Sequence, residues 1–120
     1  MILNCQCIYF SMDYIVIKKS KIRPFDKGAF ANRDFKKGEI VVKYTLKPLT
    51  PEDFDNLSKE EKNFTHRHWG VVYLYSSPER YVNHSTNPNT RQDLQNKCDI
   101  AIRDIKKGEE ITTDATKDDI

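Results

Sequence analysis

RYVNHSTNPNT, residues 80–90, decides how this chain is read. Asparagine, serine and threonine side chains compete with regular backbone pairing, and proline lacks an N–H, so a run this rich in them is expected to form a loop. Val82 stands inside it and CDIAI (98–102) follows it, both strand-like, which places the loop beside a core rather than at a solvated tip. Polar side chains in such a place need backbone donors and acceptors to satisfy them.

Working outward, RDFKKGEI (33–40) recurs as RDIKKGEEI (103–111). The match is too short for a repeat array. Each copy reads as an apolar residue, a lysine pair and a Gly-Glu turn into a new strand, with Gly38 and Gly108 supplying positive φ. IVVKY after the first copy is rich in β-branched residues, and DIAIRDI alternates with period two. Strands are therefore expected near 14–18, 28–33, 40–46, 71–75 and 98–103. LTPEDFDNLSKEEKNF (49–64) differs. Thr50 is placed as an N-cap with Pro51 at the first helical position and Asp53 at the third, and Ser58 and Glu61 repeat the capping spacing. Phe54, Leu57 and Phe64 give a thin apolar stripe, so one or two short surface helices are expected.

At 120 residues the chain predicts one domain burying about two thirds of its unfolded surface. The formal charge is +2 with lysines and acids interspersed, which argues against direct nucleic-acid binding. Cys5, Cys7 and Cys98 lack zinc spacing and read as reduced thiols, so no metal is expected and the compartment is intracellular, cytoplasmic or nuclear. His66 and His68 in THRHW would share a strand face, with no third ligand evident; a surface or half-buried pair is expected. No apolar run is long enough to span a membrane, and MILNCQCIYFSMDYIVI has no basic residue before Lys18, a poor signal peptide. Met12 offers an alternative start, and residues 1–13 are taken as an N-terminal extension or added strand.

Four pieces stand in order: DKGAFANRDFKKGEIV, the helical insert, RYVNHSTNPNT and IAIRDIKKGEEITTDA. This order resembles the SET domain of protein-lysine methyltransferases, with its GxG-x-F-A opening and KGE turn, its R-[FY]-x-N-H-S-x-x-P-N motif and its G-E-E-[LI]-T-x-D-Y motif. The resemblance covers about residues 14–115. It implies a mainly β, β-clip-like fold of several short twisted sheets, with a C-terminal pseudoknot and a short helical insert. The domain would span 14–120, with a variable insert at about 46–70. It implies S-adenosylmethionine as cofactor, approached by Lys27, Gly28, Ala29, Arg80, Asn83 and His84, and methyl transfer to a lysine of a protein or peptide such as a histone tail. Asn89 is read equally as a purely structural residue of the knot.

Such a transfer needs a neutral lysine amine, roughly one in a thousand near neutral pH. A narrow apolar channel and the cofactor's positive sulfur would favour that form. Trp69, Tyr73 and Tyr75 in WGVVYLY are the candidates for channel walls and a catalytic hydroxyl.

Three departures stand out. Asp26 replaces the first glycine of GxG. Thr86 replaces a frequent cysteine, and no cysteine-rich tail is present to form a zinc-bound cap. Thr113 and Ala115 stand where the family has aromatic residues, the second being its catalytic tyrosine, and no tyrosine follows Tyr81. Two readings stay open: a slow methyltransferase, or a degenerate SET domain that binds a cofactor, peptide or protein without catalysis. A homodimer would offer one way to close the site. The acids Glu52, Asp53, Asp55, Glu60 and Glu61 of the insert read first as a solvated helix face, and they would also suit a basic peptide.

Overall fold

In the computed structural model, which describes residues 14–23 and 26–117, the two RD-x-KKGE phrases stand against each other. Residues 1–13, with Cys5, Cys7 and Met12, lie outside the described part. Phe35 and Ile105 form a reciprocal antiparallel bridge, N to O at 2.7 and 2.8 Å, and both side chains are buried. Each aspartate caps the other copy's turn: Lys37 N–H donates to Asp104 at 2.9 Å and Lys107 N–H to Asp34 at 2.8 Å. Gly38 and Gly108 take φ of +93° and +95°. Their N–H groups donate to Ala101 O and Ala31 O, again across the pair, each at 2.8 Å. The repeated phrase thus builds a local two-fold clamp rather than an array. Its glycines are needed because a side chain would resist that backbone conformation.

The strands that leave this clamp form three small sheets. β1 (Ile15–Lys19), β2 (Lys27–Ala31), β10 (Glu110–Thr113) and β7 (Asn83–His84) make the first, in the order β1-β2-β10-β7. β3 (Ile40–Lys43), β9 (Cys98–Ala101) and β8 (Thr90–Asp93) make the second, in the order β3-β9-β8. β4 (Lys47–Leu49), β6 (Val71–Leu74) and β5 (Thr65–His68) make the third, in the order β4-β6-β5. The expected mainly β architecture of several short sheets is what is found. The strand expected over 40–46 stops at Lys43, and a separate short strand, β4, follows. β8, TRQD, carries no apolar alternation. It is a strand because it pairs antiparallel with β9, Thr90 opposite Ala101 through Asp93 opposite Cys98.

Two short helices sit where the caps placed them. α1 (Pro51–Asp55) has Thr50 and Asp53 in a reciprocal capping box, and α2 (Lys59–Lys62) has the Ser58 hydroxyl accepting from Glu61 N–H. Neither helix buries a residue fully; both are capped, and α1 also packs on β4 of the third sheet. The core lies between the first two sheets, with Ala29, Phe35, Val42, Ile105 and Ile111 at its centre. Cys98 is buried in β9, outside that cluster, and burial, with Asp93 and Asp99 nearby, pushes its thiol above the ordinary range. Among the described residues no helix is long and apolar enough to cross a membrane.

Candidate active site

The polar loop is tied to the C-terminal strand at both ends. β7 pairs parallel with β10, Thr112 opposite Asn83 and Thr113 opposite His84. At the loop's far end the buried Asn89 amide donates to Glu110 O at 2.9 Å and accepts from Thr112 N–H at 2.9 Å. Thr90 Oγ1 donates to Thr112 O at 2.7 Å. Asn89 is therefore a structural residue that completes the backbone pairing of β10, and the question raised by the polar run is answered there. Ser85 closes the turn between, accepting from Asn87 N–H at 3.0 Å.

Beside this knot opens a cavity of about 750 Å³. Lys27, Arg80, Asn83 and His84 line it, as do Tyr75 and Ala115. So do Phe64, His66, Tyr81 and Val82, which the sequence did not single out as site residues. Gly28, Ala29 and Tyr73 do not line it, and neither does Trp69. Gly28 and Ala29 are buried in β2, where Ala29 faces Ile17 of β1 and Ile111 of β10 in register.

Several lining side chains are committed to the protein itself. Asn83 Nδ2 donates to Lys27 O at 3.0 Å and to Glu110 Oε2 at 3.2 Å, joining β7 to β2 and β10. His84 Nδ1 accepts from Ala115 N–H at 3.0 Å, which fixes the hydrogen of the neutral ring on Nε2. Arg80 makes a two-pronged pair with Glu61, at 3.0 and 2.9 Å, and donates through Nε to Tyr75 O at 2.8 Å. That pairing raises the Arg80 pKa and lowers that of Glu61. The Arg80 guanidinium also lies 4.4 Å from the Phe64 ring centre. Its work here is to fasten α2 and the cavity wall together.

Glu110, the second acid of GEEIT, is the residue the sequence most clearly hid. Its carboxylate accepts from Ser20 Oγ at 2.7 Å, from Lys21 N–H at 2.8 Å and from Asn83. A Cβ on Gly28 would stand 2.5 Å from Glu110 Oε2, so Gly28 is required for space, not for a special φ. The aspartate in place of the first GxG glycine is accommodated simply. Asp26 is exposed, its carboxylate 2.8 Å from Arg23 Nε, and its charge is thereby paired.

The opposite wall comes from one face of the third sheet. His66 is opposite Tyr73 and His68 opposite Val71 in register, and period-two alternation puts Tyr75 on the same side. The His66 and Tyr75 rings are 4.6 Å apart. His68, expected to be half-buried at most, is 1% exposed, and its Nε2 meets the Tyr75 hydroxyl at 2.7 Å. The Tyr73 ring lies tilted against His68, centres 5.8 Å apart, and does not line the cavity. Trp69 is 60% exposed at the β5–β6 turn with φ +51°. Among the described residues no group of three potential ligands could hold a metal ion.

Comparison with known proteins adds the lineage. The SET domain family model matches residues 26–114. The histone-lysine N-methyltransferase EZH2 of Chaetomium thermophilum is 29% identical over 118 residues, covering 81% of this chain and 8% of its own length. The histone-lysine N-methyltransferase ASHH3 of Arabidopsis thaliana is 30% identical over 122 residues, covering 82% of this chain and 32% of its own. The chain thus spans about a third or less of these relatives. Among solved structures, the Polycomb Repressive Complex 2 of C. thermophilum, in an autoinhibited conformation bound to S-adenosylmethionine, superposes with a TM-score of 0.70. It is 22% identical, and the match covers 88% of this chain and 15% of that one, a likeness of fold.

Proposed function

The chain belongs to the SET domain family, and on that premise we propose that it is an S-adenosylmethionine-dependent protein-lysine N-methyltransferase, slowed by the alanine at position 115. The observation that carries this reading is the convergence of the NHS segment, Ala115 and the insert wall on one cavity of about 750 Å³. That volume suits a ligand of this size. Its lining fits the cofactor's chemistry. Phe64, Tyr81 and Val82 offer apolar faces for a purine, and Lys27 and the 83–84 segment offer polar groups for the ribose and amino-acid parts. Because the Asn83 and His84 side chains hold other elements in place, they act on the ligand chiefly by shaping the backbone of β7.

When bound, the cofactor supplies a methyl carbon activated by a cationic sulfur. The protein's part is to desolvate and align the amine, which can account for a large share of the rate without metal or covalent help. The acceptor would be a lysine of a basic protein, with histone tails the first substrates to try. Asp53 is committed to its cap and Glu61 to Arg80, leaving Glu52, Asp55 and Glu60 as the exposed acids of the insert that would face such a peptide.

Titration calorimetry with S-adenosylmethionine tests the reading, with Asn83→Ala as control. Micromolar binding that the control abolishes is expected; no binding by folded protein would overturn it. Ala115 favours a second reading, a cofactor- or protein-binding module without catalysis. Ala115→Tyr separates the two. A gain in histone methylation on the order of a hundredfold is expected of a site damaged at that position. Cofactor binding with no methylation by either form would establish the module.

A further inference from the structure

Within residues 18–27 stand five cations, Lys18, Lys19, Lys21, Arg23 and Lys27, against a single acid, Asp26. The formal charge of the whole chain is only +2, so the remainder is net acidic. The even overall balance therefore hides an asymmetry, and the β1–β2 hairpin is its positive pole. All six of these residues are exposed.

The nearby acids are already engaged. Asp26 pairs with Arg23, and half-buried Glu110 accepts from Ser20, Lys21 N–H and Asn83. Among the described residues no carboxylate lies within ion-pair distance of Lys18, Lys19, Lys21 or Lys27. Lys19 and Lys27 even stand directly opposite each other in the antiparallel register, an arrangement of like charges that costs stability. The ammonium groups of Lys18 and Lys21 lie 4.5 and 5.8 Å from the centre of the Phe30 ring, and that of Lys27 lies 5.9 Å from the centre of the Tyr81 ring. Such ring contacts hold the groups in place without neutralising them. Lys27 also lines the cavity, so the patch runs from the cavity rim along the hairpin.

Neither ligand of the reaction proposed above accounts for this patch. The sulfonium and ammonium of S-adenosylmethionine outnumber its carboxylate, and a basic peptide would be repelled. Resting on the reading of a basic protein substrate, we propose that Lys18, Lys19, Lys21 and Lys27 grip the phosphate backbone of duplex DNA to which that substrate is bound. Histones carry DNA wrapped around them, so a histone tail presents phosphates close by. The exposed acids Glu52, Asp55 and Glu60 of the insert then face the basic chain, and the hairpin lysines face the phosphates. Contacts of this kind position the partner without reading its sequence, and they weaken steeply with salt.

Two measurements on the full chain test this. The first needs neither cofactor nor turnover: fluorescence anisotropy of a labelled duplex of about 20 base pairs, titrated at several salt concentrations. With four lysines each neutralising a phosphate, log K should fall against log salt with a slope of about −3 to −4. A triple variant, Lys18→Gln, Lys19→Gln and Lys21→Gln, leaves Lys27 and the cavity in place. Its affinity should drop by at least about tenfold at low salt and its slope should approach about −1. The same three positions changed to Arg should keep both affinity and slope, which separates charge from folding. No binding by folded wild-type protein, or binding unchanged in the Gln variant, would overturn the proposal. Poly-L-glutamate competing as well as DNA, charge for charge, would overturn it in favour of an acidic protein partner.

The second compares methyl transfer to nucleosomes with transfer to free core histones. The Gln variant should lose about tenfold on nucleosomes and nothing on free histones. An equal loss on both would mean that the hairpin only supports the cavity, against the proposal. No methylation of either by the wild type would instead remove the methyltransferase reading, with the duplex titration still deciding whether the hairpin binds DNA.

Discussion

On one side of the cavity the 83–90 segment commits its polar side chains to the backbone of β2 and β10, through Asn83, Asn89 and Thr90. On the other, β5 and β6 pack His66, His68, Tyr73 and Tyr75 ring against ring on one sheet face. The first wall is fixed by hydrogen bonds from side chains to backbone, the second mainly by ring contacts, with a buried hydrogen bond between His68 and Tyr75. Chemistry specific to this chain is therefore more easily introduced on the insert wall, where a histidine and a buried His–Tyr pair now stand. The knot wall serves as its fixed reference.

The largest effect expected from breaking this contrast is on the knot side. Asn89→Ala would leave Glu110 O and Thr112 N–H buried without partners and should cost about 2–5 kcal/mol in urea unfolding. A loss below 1 kcal/mol would mean that the knot side is as tolerant as the insert. Gly28→Ala comes next. Its new methyl group would push the Glu110 carboxylate off Ser20, Lys21 and Asn83, costing roughly 1–3 kcal/mol. Equal stability with the wild type would show that this carboxylate can move freely.

The insert side should respond in the opposite sense. Trp69 and Gly70 both have positive φ, +51° and +80°, at a two-residue hairpin turn that favours Asn-Gly. Trp69→Asn should stabilise the protein by about 1 kcal/mol, raising Tm by about 4 °C. An unchanged or lower Tm would show that the exposed indole contributes to the fold.

The smallest effect concerns the join between the two walls. Arg80 hydrogen bonds hold the Glu61 pKa below its ordinary value, so the pair contributes stability above about pH 4.3 that fades as pH falls through the lowered value. Glu61→Gln should flatten that acid limb slightly and leave stability at pH 9 only marginally reduced. An unaltered acid limb would show that the pair adds nothing to folding, as many exposed pairs do not.

Much of the local structure on both sides was legible in the residue order, because caps, turns and strand alternation act over a few residues. Thr50 and Ser58 cap their helices as read, Gly38 and Gly108 turn the chain as read, and NHSTNPN forms the loop beside the core. The pairing of the two RD-x-KKGE phrases was not legible, since their contacts join residues some seventy positions apart. Nor was Glu110, whose partners lie ninety and twenty-seven residues away, or the space requirement at Gly28.

The sequence by itself determined the lineage, the turns and the polar residues that a knotted strand needs, because short-range hydrogen bonding is written in residue type and spacing. Only the tertiary structure decided that Tyr75 and His66 reach the cavity while Tyr73 and Trp69 do not. Alternation along a strand says which side chains share a face. How far along that face a neighbouring segment closes over them depends on packing between elements distant in the chain.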